Sequence, residues 1–185
     1  MWRWKLKQSG LFTINSLYQH LTGFREDTNC FRWIWTTQAP LKINVHMWLS
    51  FHDRLLTVDN LAKRGIHFSS CLLCGVDSEI TAHIFLHCPF NMELWVPERN
   101  RLALSSWPSF IATLWGDWRV TNIPHIEANR WNCVVSAIIW VVWGKRNQWV
   151  FKAKSSSIME LGGRIFALVT LWQAQFPIRK FHKPP

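Results

Sequence analysis

Apolar residues recur at helical spacing along much of the chain, which predicts a mainly α fold with little sheet. Residues 43–57 form one such segment, and its apolar positions are Ile43, Met47, Trp48, Phe51 and Leu55. Thr57 is expected to cap a further short helix, because a threonine hydroxyl can accept a hydrogen bond from the first helical turn. Gly65 fits the position just beyond the end of that helix.

The segments upstream are shorter and less regular. Residues 31–42 are rich in aromatic side chains, and Pro40 near their end indicates that no helix runs through the whole segment. Residues 10–14 predict a short strand or an extended entry into the fold. Asn15 is expected to cap a short helix over residues 16–21.

Proline residues mark the predicted boundaries in the second half of the chain. Pro89 is well placed as the first residue of a helix, because that position needs no backbone N–H. Residues 96–125 contain three prolines and predict loops around one short helix, at residues 109–118.

Two long helices are expected to close the chain. The first covers roughly residues 126–152. The second begins at Ser157, which together with Glu160 forms the sequence pattern of a capping box. It is expected to end before Pro177, and residues 177–185 form a tail.

Charge is distributed unevenly in a chain whose formal net charge is +10. Residues 1–70 carry a net charge of +5 and residues 129–185 one of +8, whereas residues 71–128 carry −3. Basic ends around an acidic middle favour a polyanionic partner, RNA or DNA. A basic surface that faces only solvent would give the same composition. Most of the 14 tryptophans are expected in the core, although exposed indoles would offer flat surfaces to bases or proteins.

The sequence also bears on the cellular compartment. The longest apolar run, residues 133–143, has 11 residues, short of the roughly 18 that a membrane-spanning helix needs. Residues 1–10 lack the apolar core of a secretory signal. We therefore expect no membrane association and an intracellular location, in the nucleus or cytoplasm, rather than secretion. In such a reducing setting, clustered cysteines indicate metal binding rather than disulfides.

Three of the five cysteines lie within residues 71–88. Cys71 and Cys74 form a C-x2-C pair, the tight knuckle from which two thiolates can hold Zn²⁺. Reduced core cysteines beside incidental histidines are one alternative. A redox C-x2-C is another, although the βαβ pattern that normally surrounds it is missing.

The second pair of zinc ligands has to come from His83, His87 and Cys88. His83 and His87 are four residues apart and would share one face of a helix. His83 and Cys88 can act together if the helix ends at the cysteine, and Pro89, which follows directly, favours such an end.

The segment LTVDNLAKRGIHFSSCLLCGVDSEITAHIFLHCPFNMELW, residues 56–95, resembles the reverse-transcriptase zinc-binding domain found in the C-terminal region of plant LINE-type (non-LTR) retrotransposon polyproteins. The resemblance extends upstream over residues 9–21 and 33–57. It also extends downstream over residues 138–151, where Gly144 stands in place of the family's usual lysine.

The family motif is C-x2-C, a histidine, four residues and a cysteine. It falls on Cys71, Cys74, His83 and Cys88 and makes His87 a neighbour of the site. The resemblance therefore implies one Zn²⁺ held by these four residues in a small helical domain, which two long C-terminal helices follow. The domain boundaries expected from it are a zinc-binding domain at 10–96, a linker with a short helix at 97–125, a helical hairpin at 126–176 and a tail at 177–185.

Catalytic motifs are missing from the sequence. A two-metal polymerase site would favour two adjacent aspartates, and the sequence has no such pair. It also has no P-loop, GxSxG or HExxH motif. We therefore expect no enzyme but a zinc-binding and nucleic-acid-binding accessory module, derived from a non-LTR retrotransposon reverse transcriptase polyprotein and without polymerase activity. Candidate phosphate contacts are Lys63, Arg64, Lys145 and Arg146. The alternative is a structural zinc domain for protein–protein interaction, with a reverse transcriptase domain or another protein as its partner.

Overall fold

The computed structural model describes residues 10–11, 13, 28–115, 121–152 and 157–176. Helices dominate these residues, and no strand occurs among them, in agreement with the mainly α prediction. The predicted helix at 16–21 and the tail at 177–185 lie outside the described residues. Of the predicted strand at 10–14, residues 10, 11 and 13 are described, and they are not in a strand.

The helices are labelled in chain order as α1 (Thr28–Thr36), α2 (Leu41–Phe51), α3 (Val58–Ala62), α4 (Pro89–Arg101), α5 (Ile111–Trp115), α6 (Ala128–Lys152) and α7 (Ile158–Gln175). A π-helical turn, His83–His87, precedes α4, and a 3₁₀ turn, His125–Glu127, precedes α6. None of the helices in the described part of the chain has both the length and the hydropathy that crossing a bilayer demands.

Local sequence signals explain the boundaries in the first half. Helix α1 was not predicted, but it ends before Pro40, whose extended backbone separates it from α2. The Thr57 hydroxyl accepts a hydrogen bond from the Asn60 N–H at 3.4 Å and caps α3 as predicted. Gly65 follows α3 with a φ of +80°, a conformation in which other side chains are strained.

Helix α4 corrects the prediction that the chain becomes a loop at residue 96. Pro89 starts the helix as predicted, but the helix continues through Pro97 to Arg101. A proline inside a helix loses one backbone hydrogen bond and crowds the preceding turn. Here Pro97 is exposed, while its neighbours Trp95 and Glu98 are buried and bonded on the opposite face. These tertiary contacts on both sides of the proline hold the helix together.

Glu98 binds one arginine of its own helix, α4, and one of α6. Its Oε2 accepts hydrogen bonds from Arg130 Nη1 at 2.6 Å and from Arg101 Nε at 2.9 Å. Burial by itself would raise the pKa of Glu98, but the hydrogen bonds from Arg130 and Arg101 outweigh it and lower the pKa below its usual value. Arg101 also pairs with Glu127, just before α6, at 3.0 Å.

The two C-terminal helices match their predicted positions closely. Helix α6 ends at Lys152, and α7 begins after Ser157 and ends at Gln175, before Pro177. The capping box is present in full. The Glu160 N–H donates to Ser157 Oγ at 3.2 Å, and the Ser157 N–H donates to Glu160 Oε2 at 3.0 Å.

Helix α6 lies at the centre of the molecule. It packs against α7, α2 and the π-helical turn. Every residue from 131 to 139 on it is buried, the pattern of a helix that other elements surround on all sides. Its Trp131 packs against Trp95 of α4, with ring centroids 6.1 Å apart, and neither ring is exposed. Burial of these large rings supplies much of the apolar contact that holds the helices together.

His46 lies in the contact between α2 and α6. Its ring packs edge-on against Trp140, at 5.3 Å between centroids, and contacts the tilted ring of Trp143 at 5.8 Å. The ring is buried, and its Nε2 atom has no hydrogen-bond partner. Burial lowers the pKa of His46 to about 4, because the charged imidazolium would lose its hydration there.

We predict that His46 makes the fold sensitive to mild acid. In the unfolded chain it takes up a proton as the pH falls through about 6.5, whereas in the folded chain it does so only near 4. Stability is therefore lost as the pH falls through this window, by up to about 3 kcal/mol. Chemical unfolding of the parent and of His46→Phe between pH 7 and 4 measures the effect. We expect a flatter pH dependence in the variant.

The matched control for this experiment is His67→Gln, which removes an exposed imidazole. It should retain the pH dependence of the parent. Protonation of groups elsewhere in the chain affects the parent, His46→Phe and His67→Gln alike. Equal slopes for the parent and His46→Phe would contradict the prediction.

Candidate metal centre

Four side chains from two loops converge beside α6. The Sγ atoms of Cys71, Cys74 and Cys88 and a ring nitrogen of His83 all lie within 4.8 Å of one another. Cys74 Sγ and His83 Nε2 are 3.3 Å apart. Cys71, His83 and Cys88 are buried, and Cys74 is half-buried. Among the described residues, these four side chains form the group of Cys and His residues that lie close enough together to hold a metal ion.

The first two sulfurs are positioned by a tight loop after α3. The Gly75 N–H donates to the Cys71 carbonyl at 2.8 Å and closes the turn between the two cysteines. Gly75 adopts a φ of +72°, which glycine reaches without strain. The Cys71 N–H donates to the Asp77 carbonyl at 2.6 Å, so the chain folds back beside the knuckle.

The other two side chains are positioned by the π-helical turn. The Cys88 N–H donates to the His83 carbonyl at 2.6 Å, which is the i to i+5 bond that defines such a turn. Because this wide turn takes five residues, His83 and Cys88 lie next to each other at its two ends. The chain leaves the helical conformation at Cys88 and enters α4 at Pro89, so the predicted end of the helix is confirmed.

Side chains from outside the turn bind its free carbonyls. Trp95 Nε1 donates to the Phe85 carbonyl at 2.8 Å, and Trp107 Nε1 donates to the Leu86 carbonyl at 3.0 Å. The Asn91 amide donates to the Ile84 carbonyl in the same way. The last carbonyls of a helix have no partner within it, and in a buried turn each would otherwise cost free energy. The indoles therefore fix the backbone that carries His83 and Cys88.

His87 lies outside the cluster. It is exposed, and its Nε2 is 3.1 Å from the Ser109 carbonyl oxygen. His87 is not among the four clustered side chains, and its ring contacts the Ser109 carbonyl instead. The structure thus brings together Cys71, Cys74, His83 and Cys88 and leaves His87 on the surface.

The electrostatics of the cluster suit a cation. A hydrogen bond between the Cys71 and Cys88 sulfurs lowers the pKa of Cys71 to about 4 and raises the pKa of Cys88. The thiolate that is favoured at Cys71 is the form of the side chain that binds a metal ion.

The Asp77 carboxylate lies on the other side of the imidazole, with Oδ2 3.7 Å from His83 Nδ1. A carboxylate there favours a proton on Nδ1 and leaves Nε2 free to bind a metal.

The spacing of the atoms fits zinc. In a tetrahedral site with ordinary Zn–S and Zn–N bond lengths, sulfur and nitrogen ligands are about 3.5 Å apart and two sulfurs about 3.8 Å apart. The 3.3 Å between Cys74 Sγ and His83 Nε2 and the 4.8 Å limit on the whole group agree with this geometry. Four such donors can fill the tetrahedron that zinc prefers.

The four predicted phosphate contacts are placed very differently. Lys63 and Arg64 are exposed at the end of α3, where Lys63 Nζ pairs with Asp59 at 2.7 Å and lies 4.0 Å from Asp53.

Lys145 and Arg146 are 4% and 3% exposed. Lys145 Nζ lies 5.8 Å from the centre of the Trp149 ring, and Arg146 pairs with Glu79. Buried side chains offer little surface to a phosphate backbone, so the burial of Lys145 and Arg146 counts against the prediction for these two residues.

Glu79 is the important residue of this region that sequence reasoning missed. It lies between the two ligand pairs, is 0% exposed and contacts Arg146 with one carboxylate oxygen at 2.9 Å and 3.1 Å. No sequence signal singled it out, because its burial depends on a partner 67 residues away in the chain.

Comparisons with known proteins agree with this geometry. Residues 12–95 match the family model described as zinc-binding in reverse transcriptase. An Arabidopsis thaliana protein named "Putative ribonuclease H protein" is 25% identical to the chain over 154 residues, which cover 76% of this chain and 23% of that protein. The chain therefore spans about a quarter of the length of this relative. No solved structure matches the chain significantly.

We predict that Cys88, and not His87, completes the metal centre. Cys88→Ser and Cys74→Ser should lose stoichiometric zinc, whereas His87→Ala should keep it, because only the first two side chains contact the cluster. Metal content after dialysis and chelator competition measure this. Cys133→Ser is the matched control, since it changes a buried cysteine of α6 outside the site. Zinc loss in His87→Ala together with retention in Cys88→Ser would overturn the assignment.

Proposed function

We propose that this chain, whose residues 12–95 are a reverse-transcriptase-type zinc-binding domain, is an accessory module of a plant LINE-type (non-LTR) retrotransposon polyprotein. It holds one structural zinc ion and binds RNA or DNA. The observation that carries the proposal is the convergence of three thiols and one imidazole to within 4.8 Å, on two turns whose backbones are separately fixed. In a protein whose cysteines are reduced, three thiols and one imidazole at this spacing are the ligand set of a zinc site.

Cys71, Cys74, His83 and Cys88 would hold the zinc. When bound, the ion supplies a cross-link between the C-x2-C knuckle and the π-helical turn. These loops contain little regular structure, so a metal contributes directly to their folding. The role is structural, because the four protein ligands leave no position for a reacting water.

The chain itself is proposed not to catalyse polymerisation. Two-metal polymerase chemistry needs carboxylates that are free to hold metal ions. The aspartates of the described residues have other contacts: Asp53 accepts a hydrogen bond from Thr81, Asp59 pairs with Lys63, and Asp77 faces His83. We propose that polymerase activity belongs to other parts of the polyprotein.

Nucleic-acid binding is supported by charge. The chain carries a formal net charge of +10, and cations are exposed along several of its elements, at Arg32, Lys42, Arg54, Lys63, Arg64 and Arg164. A distributed basic surface attracts phosphates without selecting bases. The metal centre would then fix the shape of this surface rather than contact the nucleic acid.

Protein–protein interaction is the second candidate, and it rests on helix α7. Met159 is 84% exposed and Phe166 is 70% exposed, seven residues apart on the same side of this helix. Large apolar side chains on an outer helix face favour contact with another protein, such as a reverse transcriptase domain. Salt-insensitive association without affinity for nucleic acid would favour this function.

The reduced thiols of the cluster support an intracellular location. Thiols persist in the cytoplasm and nucleus, whereas secreted proteins of this size tend to form disulfides. We propose one of these two compartments for the polyprotein.

We predict salt-dependent binding with little sequence preference. Fluorescence anisotropy with labelled single-stranded RNA and duplex DNA, each at two salt concentrations, measures it. Lys63→Gln/Arg64→Gln should weaken binding to all sequences about equally and reduce the slope of log affinity against log salt by about two. The charge-preserving control Lys63→Arg/Arg64→Lys should retain the slope of the parent. A zinc-loaded parent that binds neither ligand at low salt would leave the interaction module as the function.

A further inference from the structure

We propose that Glu79 and Arg146 are positioning residues of the metal centre, which couple the zinc knuckle to helix α6 so that metal binding and packing of the C-terminal hairpin stabilise each other. This inference rests on the zinc site of the proposed function. It assigns a role to two residues that are not metal ligands.

The first step is the position of Glu79. It is fully buried in the arm between the two ligand pairs, and both of its carboxylate oxygens are used. Oε2 accepts a hydrogen bond from the Leu72 N–H at 3.1 Å. Oε1 accepts from the Val58 N–H at 3.1 Å and from Arg146. One side chain thus contacts the knuckle, the first residue of α3 and the centre of the molecule.

The bond to Leu72 acts on the metal ligands. Leu72 lies directly after Cys71, inside the C-x2-C pair. A fixed Leu72 N–H therefore fixes the peptide plane between Cys71 and Leu72 and limits the directions in which the Cys71 sulfur can point. Groups outside the ligand sphere that orient ligands in this way typically change metal affinity 10–100-fold when they are removed.

Arg146 ties the same carboxylate to α6. Its Nε and Nη2 atoms donate to Glu79 Oε1 at 3.1 Å and 2.9 Å, and its Nη1 donates to Asn147 Oδ1 at 3.2 Å. The guanidinium is 3% exposed. A buried carboxylate and a buried guanidinium each lose their hydration, so neither is tolerated there without the other.

Arg146 also reaches the second half of the site. Its guanidinium stacks on the Trp143 ring at 5.1 Å, and Trp143 contacts Phe85 at 6.5 Å between ring centroids. Phe85 belongs to the π-helical turn that carries His83 and Cys88. Helix α6 therefore contacts the knuckle through Glu79 and the turn through Trp143, and the metal would join these same two loops.

Zinc affinity of the full chain tests the proposal. Chelator competition should show a 10–100-fold loss of affinity in Glu79→Gln, because the neutral amide neither balances Arg146 nor accepts all of the donors. The matched control is Glu98→Gln, which neutralises another buried glutamate that pairs with two arginines but contacts no part of the knuckle. Glu98→Gln should lower stability and leave zinc affinity unchanged.

Hydrogen exchange provides a second readout, which a purely structural role would not change. Zinc should increase the protection of the α6 amides around Arg146 in the parent, and this increase should be largely lost in Glu79→Gln. Arg146→Lys keeps the positive charge but loses the paired hydrogen bonds from Nε and Nη2 to Glu79, so we expect an intermediate loss of zinc affinity. It provides the same comparison if Glu79→Gln does not fold.

The outcomes separate this inference from the proposed function. A parent that binds no zinc overturns both. A parent that binds zinc, with equal losses of affinity in Glu79→Gln and Glu98→Gln or with no loss in Glu79→Gln, overturns the inference alone. Selective loss of affinity in Glu79→Gln together with loss of the effect on α6 supports it.

Discussion

A carboxylate that folding removes from water needs a cation and hydrogen-bond donors, and the region around Glu79 is arranged to supply them. The donors come from the start of α3, from the C-x2-C knuckle and from the last third of α6, and the last of these is 67 residues from Glu79 in the sequence. Removing any one of them would leave a buried charge incompletely paired. The loops of the metal centre are therefore attached to the helical core even though they contain little regular structure themselves.

The parts of the fold that could be predicted are those that short sequence patterns determine. The C-x2-C spacing, the histidine and the cysteine before Pro89 belong to one short segment, and the backbone brings them together through contacts within that segment. The caps at Thr57 and Ser157 were predictable for the same reason, since a capping side chain bonds an N–H only three residues away. The two long helices followed from the length of their apolar patterns.

Residues that depend on distant partners could not be predicted in this way. Lys145 and Arg146 have the sequence appearance of a solvated basic turn, and only the position of Glu79, 67 residues before Arg146, places the arginine in the interior. Pro97 normally ends a helix, but the contacts of its neighbours with other elements keep α4 continuous. The excess of tryptophan indicated a large core. It did not indicate that Trp95 and Trp107 would also donate hydrogen bonds to the turn that carries two of the candidate ligands.

The arm between the two ligand pairs, residues 75–82, has a consequence for how the length of this chain can vary in evolution. It is short, yet its backbone bonds the Cys71 N–H, its Asp77 faces His83 and its Glu79 holds Leu72. An insertion or deletion within it would displace all of these contacts at once, so the arm is not an interchangeable spacer. Homologous chains should therefore differ in length elsewhere, while the distance between the ligand pairs stays constant.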